Sequence, residues 1–391
     1  MNASSRDRCY SPAAVAHRVL YLVDSLGMGG AERGLALTIR HLDRSKVEPE
    51  VAYLWDPSPL RTELEAAGAR VHRIGVRPGI GAFLAVPRVL RLLREGRFDA
   101  IHTQVLWASI TGRIAGRLAR VTVISHIANT ETGGFRDGEL PPGVARKARW
   151  LARLDGWTGR WCVDRFVAIS EAVRSDPIRG AGWDRSRIDV VRRGQASSEL
   201  RERASGFVGP PLEASGAPVL LSVGRLAEQK GLRFLLEAMP AILAEHPDAH
   251  LLVVGEGHLA QDLQGRARPL GDRVSFLGLR DDVPALIASA NLFVFPSLWE
   301  GQGNALLEAM SVGVPIVATT IPSTLETLTD GESALLVPPA DAEALATAVN
   351  RLLADPRLAA RLADAARLRA RDYDIERTTR DLEGVYARAI G

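Results

Sequence analysis

The chain is poor in cysteine: Cys9 and Cys162 are the only two in 391 residues. Two isolated thiols exclude a disulfide framework and a cysteine-rich metal centre, and they fit a reducing cytoplasm. Histidine is scarce too, at eight, and no His or Cys cluster has the spacing of a metal site. A net charge of +3 favours anionic ligands or surfaces. It comes without an aromatic–basic interleave or a zinc-finger pattern, so nucleic acid is not an expected partner. No run approaches the roughly 18 uninterrupted apolar residues of a membrane span. Residues 1–17 lack an apolar core like that of a signal peptide and read as a tail.

What remains is ordinary globular composition, 46% hydrophobic and 24% charged, in a chain too long for one core. Short buried runs recur at 19–23, 51–54, 71–74, 100–102, 121–125 and 166–169, with helical patterns between most of them. After a serine-, charge- and proline-rich break, a second series follows at 219–223, 251–254, 274–277, 292–295, 316–318 and 334–337. Alternation of this kind implies α/β structure, two doubly wound parallel sheets covered on both faces. The expected organisation is a tail at 1–17, a first domain at 18–195, a linker at 196–217 and a second domain at 218–371. Residues 372–391 form a terminal helix. Ligands of such sheets bind at the C-terminal strand ends, which places the site in the cleft between the two halves.

The strongest local signal is Trp299-Glu300-Gly301-Gln302-Gly303-Asn304-Ala305-Leu306-Leu307-Glu308. A strand ending at Pro296 feeds a glycine-broken loop and then a helix N-terminus, which offers backbone N–H groups to an anionic or hydroxyl-rich ligand. Glu300 and Glu308 bracket that loop. Gly224-Arg225-Leu226-Ala227-Glu228-Gln229-Lys230-Gly231 sets two cations five residues apart at another helix start, suited to a diphosphate; a solvated basic loop is the plainer reading. Gly255 ends one strand and Leu277 another, where backbone groups could hold a base. Gly29 and Gly30 allow close approach of backbone to a sugar or phosphate, but the run from Gly27 to Glu32 lacks the third glycine of a dinucleotide fingerprint, which disfavours NAD. His126 ends a buried strand at the cleft, and a structural and a functional reading stand level there. Asp372-Tyr373-Asp374 reads as a helix start rather than a metal motif. Residues 144–163 interleave Arg146, Lys147, Arg149, Arg153 and Arg160 with Trp150, Trp157 and Trp161. That is the pattern of an interfacial membrane segment, although Gly156 and Gly159 are expected to interrupt the helix and the tryptophans could equally belong to the core.

Taken together, these residues resemble the family-4 glycosyltransferases of the GT-B fold, from Val19 onward. The likeness rests on Gly29-Gly30-Ala31-Glu32, Gly224-Arg225 with Lys230-Gly231, Gly255-Glu256-Gly257, and Glu300 and Glu308 continuing to Gly313-Val314-Pro315. It implies two Rossmann-like domains facing across a cleft and a retaining transfer from a nucleotide sugar without a metal or other cofactor. Arg225 and Lys230 would then support the departing diphosphate, Glu308 the ribose, and Glu300 with the amides of Gly301, Gln302, Gly303 and Asn304 the donor hexose. His126 would stand near the reaction centre, with Gly29 and Gly30 lining the opposite wall. Two departures concern the donor: Pro322-Ser323-Thr324-Leu325-Glu326 replaces a glycine pair, and Asn304 replaces an apolar residue. The expected partners are a nucleotide-diphosphate sugar and a carbohydrate or lipid-linked acceptor, met in the cytoplasm or at the inner membrane face, with peripheral contact through 144–163. The competing readings are a nucleotide-sugar epimerase of the same architecture and a non-catalytic sugar-nucleotide or membrane-binding module.

Overall fold

The computed structural model describes residues 16–128, 142–175, 183–205 and 216–391. Most of the expected tail, the glycine-rich loop at 130–141 and the Gly209-Pro210-Pro211 stretch lie outside the described residues.

In the first domain, strands alternate with helices as the apolar runs dictate. They are β1 (His17–Val23), α1 (Gly30–His41), β2 (Val47–Tyr53), α2 (Arg61–Ala66), β3 (Arg70–Arg73), α3 (Val86–Glu95) and β4 (Ala100–Thr103). Next come α4 (Leu106–Ala119), β5 (Thr122–Ile127), α5 (Pro142–Cys162), β6 (Arg165–Ala168), α6 (Glu171–Arg174) and β7 (Ile188–Val190). The sheet is parallel, in the order β3-β2-β1-β4-β5-β6-β7. Its order reverses at β1 and β4, so a crevice opens above their C-terminal ends.

A short helix, α7 (Ser197–Ser205), leads to the second domain. There β8 (Val219–Val223), α8 (Leu232–Glu245), β9 (His250–Val254), α9 (Ala260–Ala267), β10 (Val274–Phe276) and α10 (Val283–Ser289) follow one another. They continue into β11 (Leu292–Phe295), α11 (Asn304–Val312), β12 (Ile316–Thr319), α12 (Pro322–Thr327) and β13 (Leu335–Val337). This sheet is also parallel, β10-β9-β8-β11-β12-β13, with its reversal at β8 and β11. Helices α13 (Ala342–Ala354) and α14 (Pro356–Arg369) cover it, and α15 (Ile375–Ile390) returns to the first domain. There Leu382, Val385 and Tyr386 join the core of β1 and α1.

Two chain crossings lie side by side. Gln195 N donates to Tyr373 O at 2.8 Å, and Ile375 N to Gln195 O at 3.1 Å. A Cβ on Gly194 would sit 2.5 Å from Ile375 Cα, so only glycine lets the strands approach this closely.

Three local readings need correction. Helix α5 runs unbroken through Gly156 and Gly159; the Trp183 ring lies against Gly159, where a side chain would collide with it. Part of the expected linker is helical: α7 buries Leu200 and Ser197 among its charges, and the Ser197 hydroxyl bonds that of Ser311 on α11 at 3.1 Å. Strand β7 was not expected at all, being three residues long with Asp189 at its centre. Asp374 caps α15 by accepting from Glu376 N, and Asp372 pairs with Arg377. No helix among the described residues is long and apolar enough to cross a membrane.

Candidate active site

The two strand-order reversals face each other, and the predicted residues converge on the seam. After β8, Gly231 adopts φ 60°, and a Cβ there would lie 2.0 Å from Pro296 O. That contact seats the Arg225–Lys230 loop on the Glu300 loop. Gly255 has φ 130°, with its missing Cβ 2.0 Å from Gly224 O, so the ends of β8 and β9 touch through backbone.

Within this frame Glu300, 8% exposed, is held on three sides. It pairs with Lys230 and accepts from Gln229 Nε2 at 3.2 Å and Ser297 Oγ at 3.2 Å. Gln229 also donates to Trp299 O at 3.0 Å and accepts from Arg225 at 3.2 Å. Lys230 is thus neutralised by Glu300, whereas Arg225 is exposed and has no carboxylate partner among the described residues. The amides of Gly301, Gln302, Gly303 and Asn304 donate to no protein acceptor among the described residues, and Gly303 caps α11 without a side-chain bond. Free amides at a helix start, near a guanidinium that has only a neutral partner, form an anion- and hydroxyl-binding surface.

The side chains of that loop reach instead to the first domain. Gln302 grips the Arg193 backbone, accepting from its N–H at 2.9 Å and donating to its carbonyl at 3.3 Å. Asn304 accepts from the Arg193 guanidinium at 3.3 Å and lies against Gly30, the first residue of α1. Ser170 Oγ donates to Gly301 O at 2.7 Å. A cavity of about 110 Å³ opens here, lined by His102, Gln104, His126, Arg193, Asn304 and Glu308.

Charge in this cavity is shaped by desolvation. Burial pushes the Glu308 carboxyl up to about 7, against the pull of Arg33 and Arg203. Burial holds His126 well below the ordinary histidine value, and His102 and Arg193 add to the effect, so it is neutral. Its Nδ1 has no hydrogen-bond partner among the described residues. Burial also lowers the Arg193 guanidinium, partly offset by Glu300 and Glu32.

The structure therefore joins Arg225, Lys230 and Glu300 in one cluster, backed by Gly255, while Leu277 extends β10 by donating to Val253 O. His126, Glu308 and Asn304 line the adjoining cavity; Gly30 lies against Asn304 and Arg193 at its edge, whereas Gly29 faces only Glu32 and is not part of the lining. Sequence reasoning missed Arg193, Gln229, Ser170 and Glu326. For Arg193 the available signal was a glycine after two arginines, but the three-residue β7 before it gave no apolar run to mark a strand end.

The chain can now be set beside known proteins. Residues 29–194 match the model of a glycosyl transferase 4-like domain, and residues 217–355 that of glycosyl transferases group 1. The 2-deoxystreptamine glucosyltransferase of Streptomyces kanamyceticus is 30% identical over 285 residues, 70% of this chain and 72% of that one. The UDP-Gal:alpha-D-GlcNAc-diphosphoundecaprenol alpha-1,3-galactosyltransferase of Escherichia coli is 29% identical over 245 residues, 59% of this chain and 60% of that protein. Among solved structures, HepE of Anabaena in complex with UDP-glucose superposes with a TM-score of 0.79 at 22% identity, covering 95% of this chain and 99% of that one. Fold, both domain models and a relative matched along most of its length agree that the chain belongs to the glycosyltransferases and is an enzyme of GT-B architecture.

Proposed function

We propose that the protein transfers a hexose from a nucleoside-diphosphate sugar to a polysaccharide or glycolipid precursor, with retention at the anomeric carbon and without a metal. The carrying observation is the cluster of exposed Arg225, the Lys230–Glu300 pair and the free amides of 301–304. Negative charge on the departing diphosphate is the main charge that develops during transfer, and two fixed cations with preorganised amides stabilise it. Glu300, oriented by Gln229 and Ser297, accepts from hexose hydroxyls; Glu308 accepts from the ribose. The UDP-glucose complex of HepE supports the donor class. Retention rests on the family resemblance.

The acceptor side points toward a membrane. Trp150, Trp157 and Trp161 are 50%, 56% and 60% exposed, and their spacing of seven and four residues puts them on one stripe of α5. Arg146, Lys147, Arg149, Arg153 and Arg160 flank that stripe, and the neighbouring segment before α3 exposes Ile80 and Leu84. Tryptophan with arginine at an exposed helix face suits the headgroup region of an anionic bilayer. The diphosphoundecaprenol acceptor named for the Escherichia coli relative supports a lipid-linked substrate.

A panel of nucleotide sugars with lipid-linked and free acceptors, assayed with and without EDTA, tests the reaction. Product anomers read by NMR test retention. Glu300→Gln is expected to lower turnover at least about a hundredfold, as removal of a preorganised site group does. Absence of turnover or binding with every nucleotide sugar would sink the reading. For the membrane face, flotation with phosphatidylglycerol vesicles should carry the protein, and Trp157→Ser with Trp161→Ser should release it; equal recovery of both would remove α5 from the account.

A further inference from the structure

Behind His126 lies a row of polar groups that the transfer reaction as described does not use. Tyr21 on β1, His102 on β4 and His126 on β5 stand on neighbouring strands, and Tyr386 reaches them from α15. Tyr21 pairs in register with His102, and their rings stack at 5.1 Å. The Tyr21 and Tyr386 hydroxyls lie 2.5 Å apart, and Tyr386 Oη lies 2.6 Å from His102 Nδ1. All three residues are at most 1% exposed. Two ring nitrogens of this row have no partner among the described residues: His102 Nε2 and His126 Nδ1. Both histidines line the same cavity, with ring centroids 5.7 Å apart.

Proton counting gives this row a direction. If His102 carried its proton on Nδ1, Tyr386 would accept it and donate to Tyr21, leaving the Tyr21 proton with no acceptor among the described residues. If Tyr21 donates to Tyr386 and Tyr386 to His102 Nδ1, every hydroxyl proton is used. His102 then carries its proton on Nε2, the atom without a partner. On the neighbouring His126 ring, which lines the same cavity, the unpartnered Nδ1 is the matching acceptor. The two rings stand 5.7 Å apart at 39°, a separation that one bridging hydroxyl between the His102 Nε2–H and that Nδ1 can span.

We propose that Tyr21, Tyr386 and His102 form a hydrogen-bond relay that fixes the tautomer of His126, keeping its Nδ1 an acceptor and its Nε2–H a donor aimed at the sugar. Tyr386 and His102 are positioning residues in this scheme, and the C-terminal helix sets the geometry of the cleft from outside it. The inference rests on the reading of His126 as a residue of the transfer site.

The test uses the full chain with ¹⁵N-labelled histidine. Long-range ¹H–¹⁵N spectra should show His102 and His126 each as a single Nε2–H tautomer. Tyr386→Phe keeps the ring but removes the hydroxyl. It should leave both imidazoles as tautomer mixtures and lower kcat about tenfold, the worth of one hydrogen bond, with donor KM within about twofold. Tyr21→Phe, which leaves the Tyr386–His102 bond, should do less. If Tyr386→Phe does not fold, His102→Phe removes the donor to His126 at similar volume and should mix its tautomers. An unchanged His126 tautomer in whichever variant folds, or a wild-type proton on its Nδ1, overturns the relay. The spectra read the relay even if no sugar is transferred, so the two readings fail separately.

Discussion

The two cations of the donor cluster differ in what their loss exposes. Lys230 neutralises Glu300, a carboxylate only 8% exposed. Lys230→Ala therefore leaves a buried charge unpaired and should cost about 3 kcal/mol, a melting point lower by roughly 6–10 °C. Arg225 is exposed with one neutral partner, and Arg225→Ala should cost under about 0.5 kcal/mol. Both should cripple transfer. Thermal melts beside turnover assays check this; equal melting points for the two variants would contradict the pairing seen here. Glu308 supplies a pH dependence. Burial lifts its folded value from 4.5 to about 7, so ionisation weakens the ligand-free fold as pH rises through that window. In the proposed role of Glu308, ribose hydroxyls donate to the ionised carboxylate, so donor affinity should instead rise between pH 6 and 8, and Glu308→Gln should flatten the profile. Titration calorimetry with UDP at several pH values measures it. At this scale the convergence of Glu300, Lys230 and Arg225 on one seam was legible in the sequence, because all three stand in glycine-marked loops at strand ends, where a parallel sheet opens its crevice. That Lys230 and Glu300 bind each other was not legible, since the pair spans 70 residues of chain.

Among elements, almost every strand was readable because buried parallel strands are continuous apolar runs. β7 escaped, as did the helical nature of α7, because each owes its conformation to neighbours rather than to its own pattern. The glycines in α5 misled for the opposite reason: Gly159 is there to admit Trp183, not to end a helix. The donor loops show the same dependence on contact. Gly255 holds φ 130° with no room for a Cβ beside Gly224 O. Gly255→Ala should thus cost at least about 2 kcal/mol, from backbone strain and the forced separation of the β8 and β9 ends. Because Arg225 follows Gly224 directly, UDP should also raise the melting point of this variant less than that of the wild type. A full UDP-induced shift would show that the loop tolerates the displacement.

Over the whole molecule, the seam between domains is built from hydrogen bonds rather than from a shared apolar core. Glu326, in the segment where the sequence departs from its family pattern, accepts from Glu171 N at 2.9 Å and from Ala172 N. It thereby caps α6 of the opposite domain. Ser170, the N-cap of that helix, donates to Gly301 O, and Gln302 holds the Arg193 backbone. These bonds form only when the domains meet, so their free energy belongs to closure and not to the folding of either half. A carboxylate bonded to two amides at a helix N-terminus contributes about 1–2 kcal/mol. Removing it should shift the balance between closed and open forms about five- to thirtyfold toward open. Glu326→Ala is therefore expected to enlarge the radius of gyration of the ligand-free protein in X-ray scattering, while UDP-sugar, bound across the seam, restores the compact form. Donor affinity should fall with the closed fraction, whereas each domain melts as before. A ligand-free scattering profile identical to that of the wild type would mean that the seam is held without Glu326.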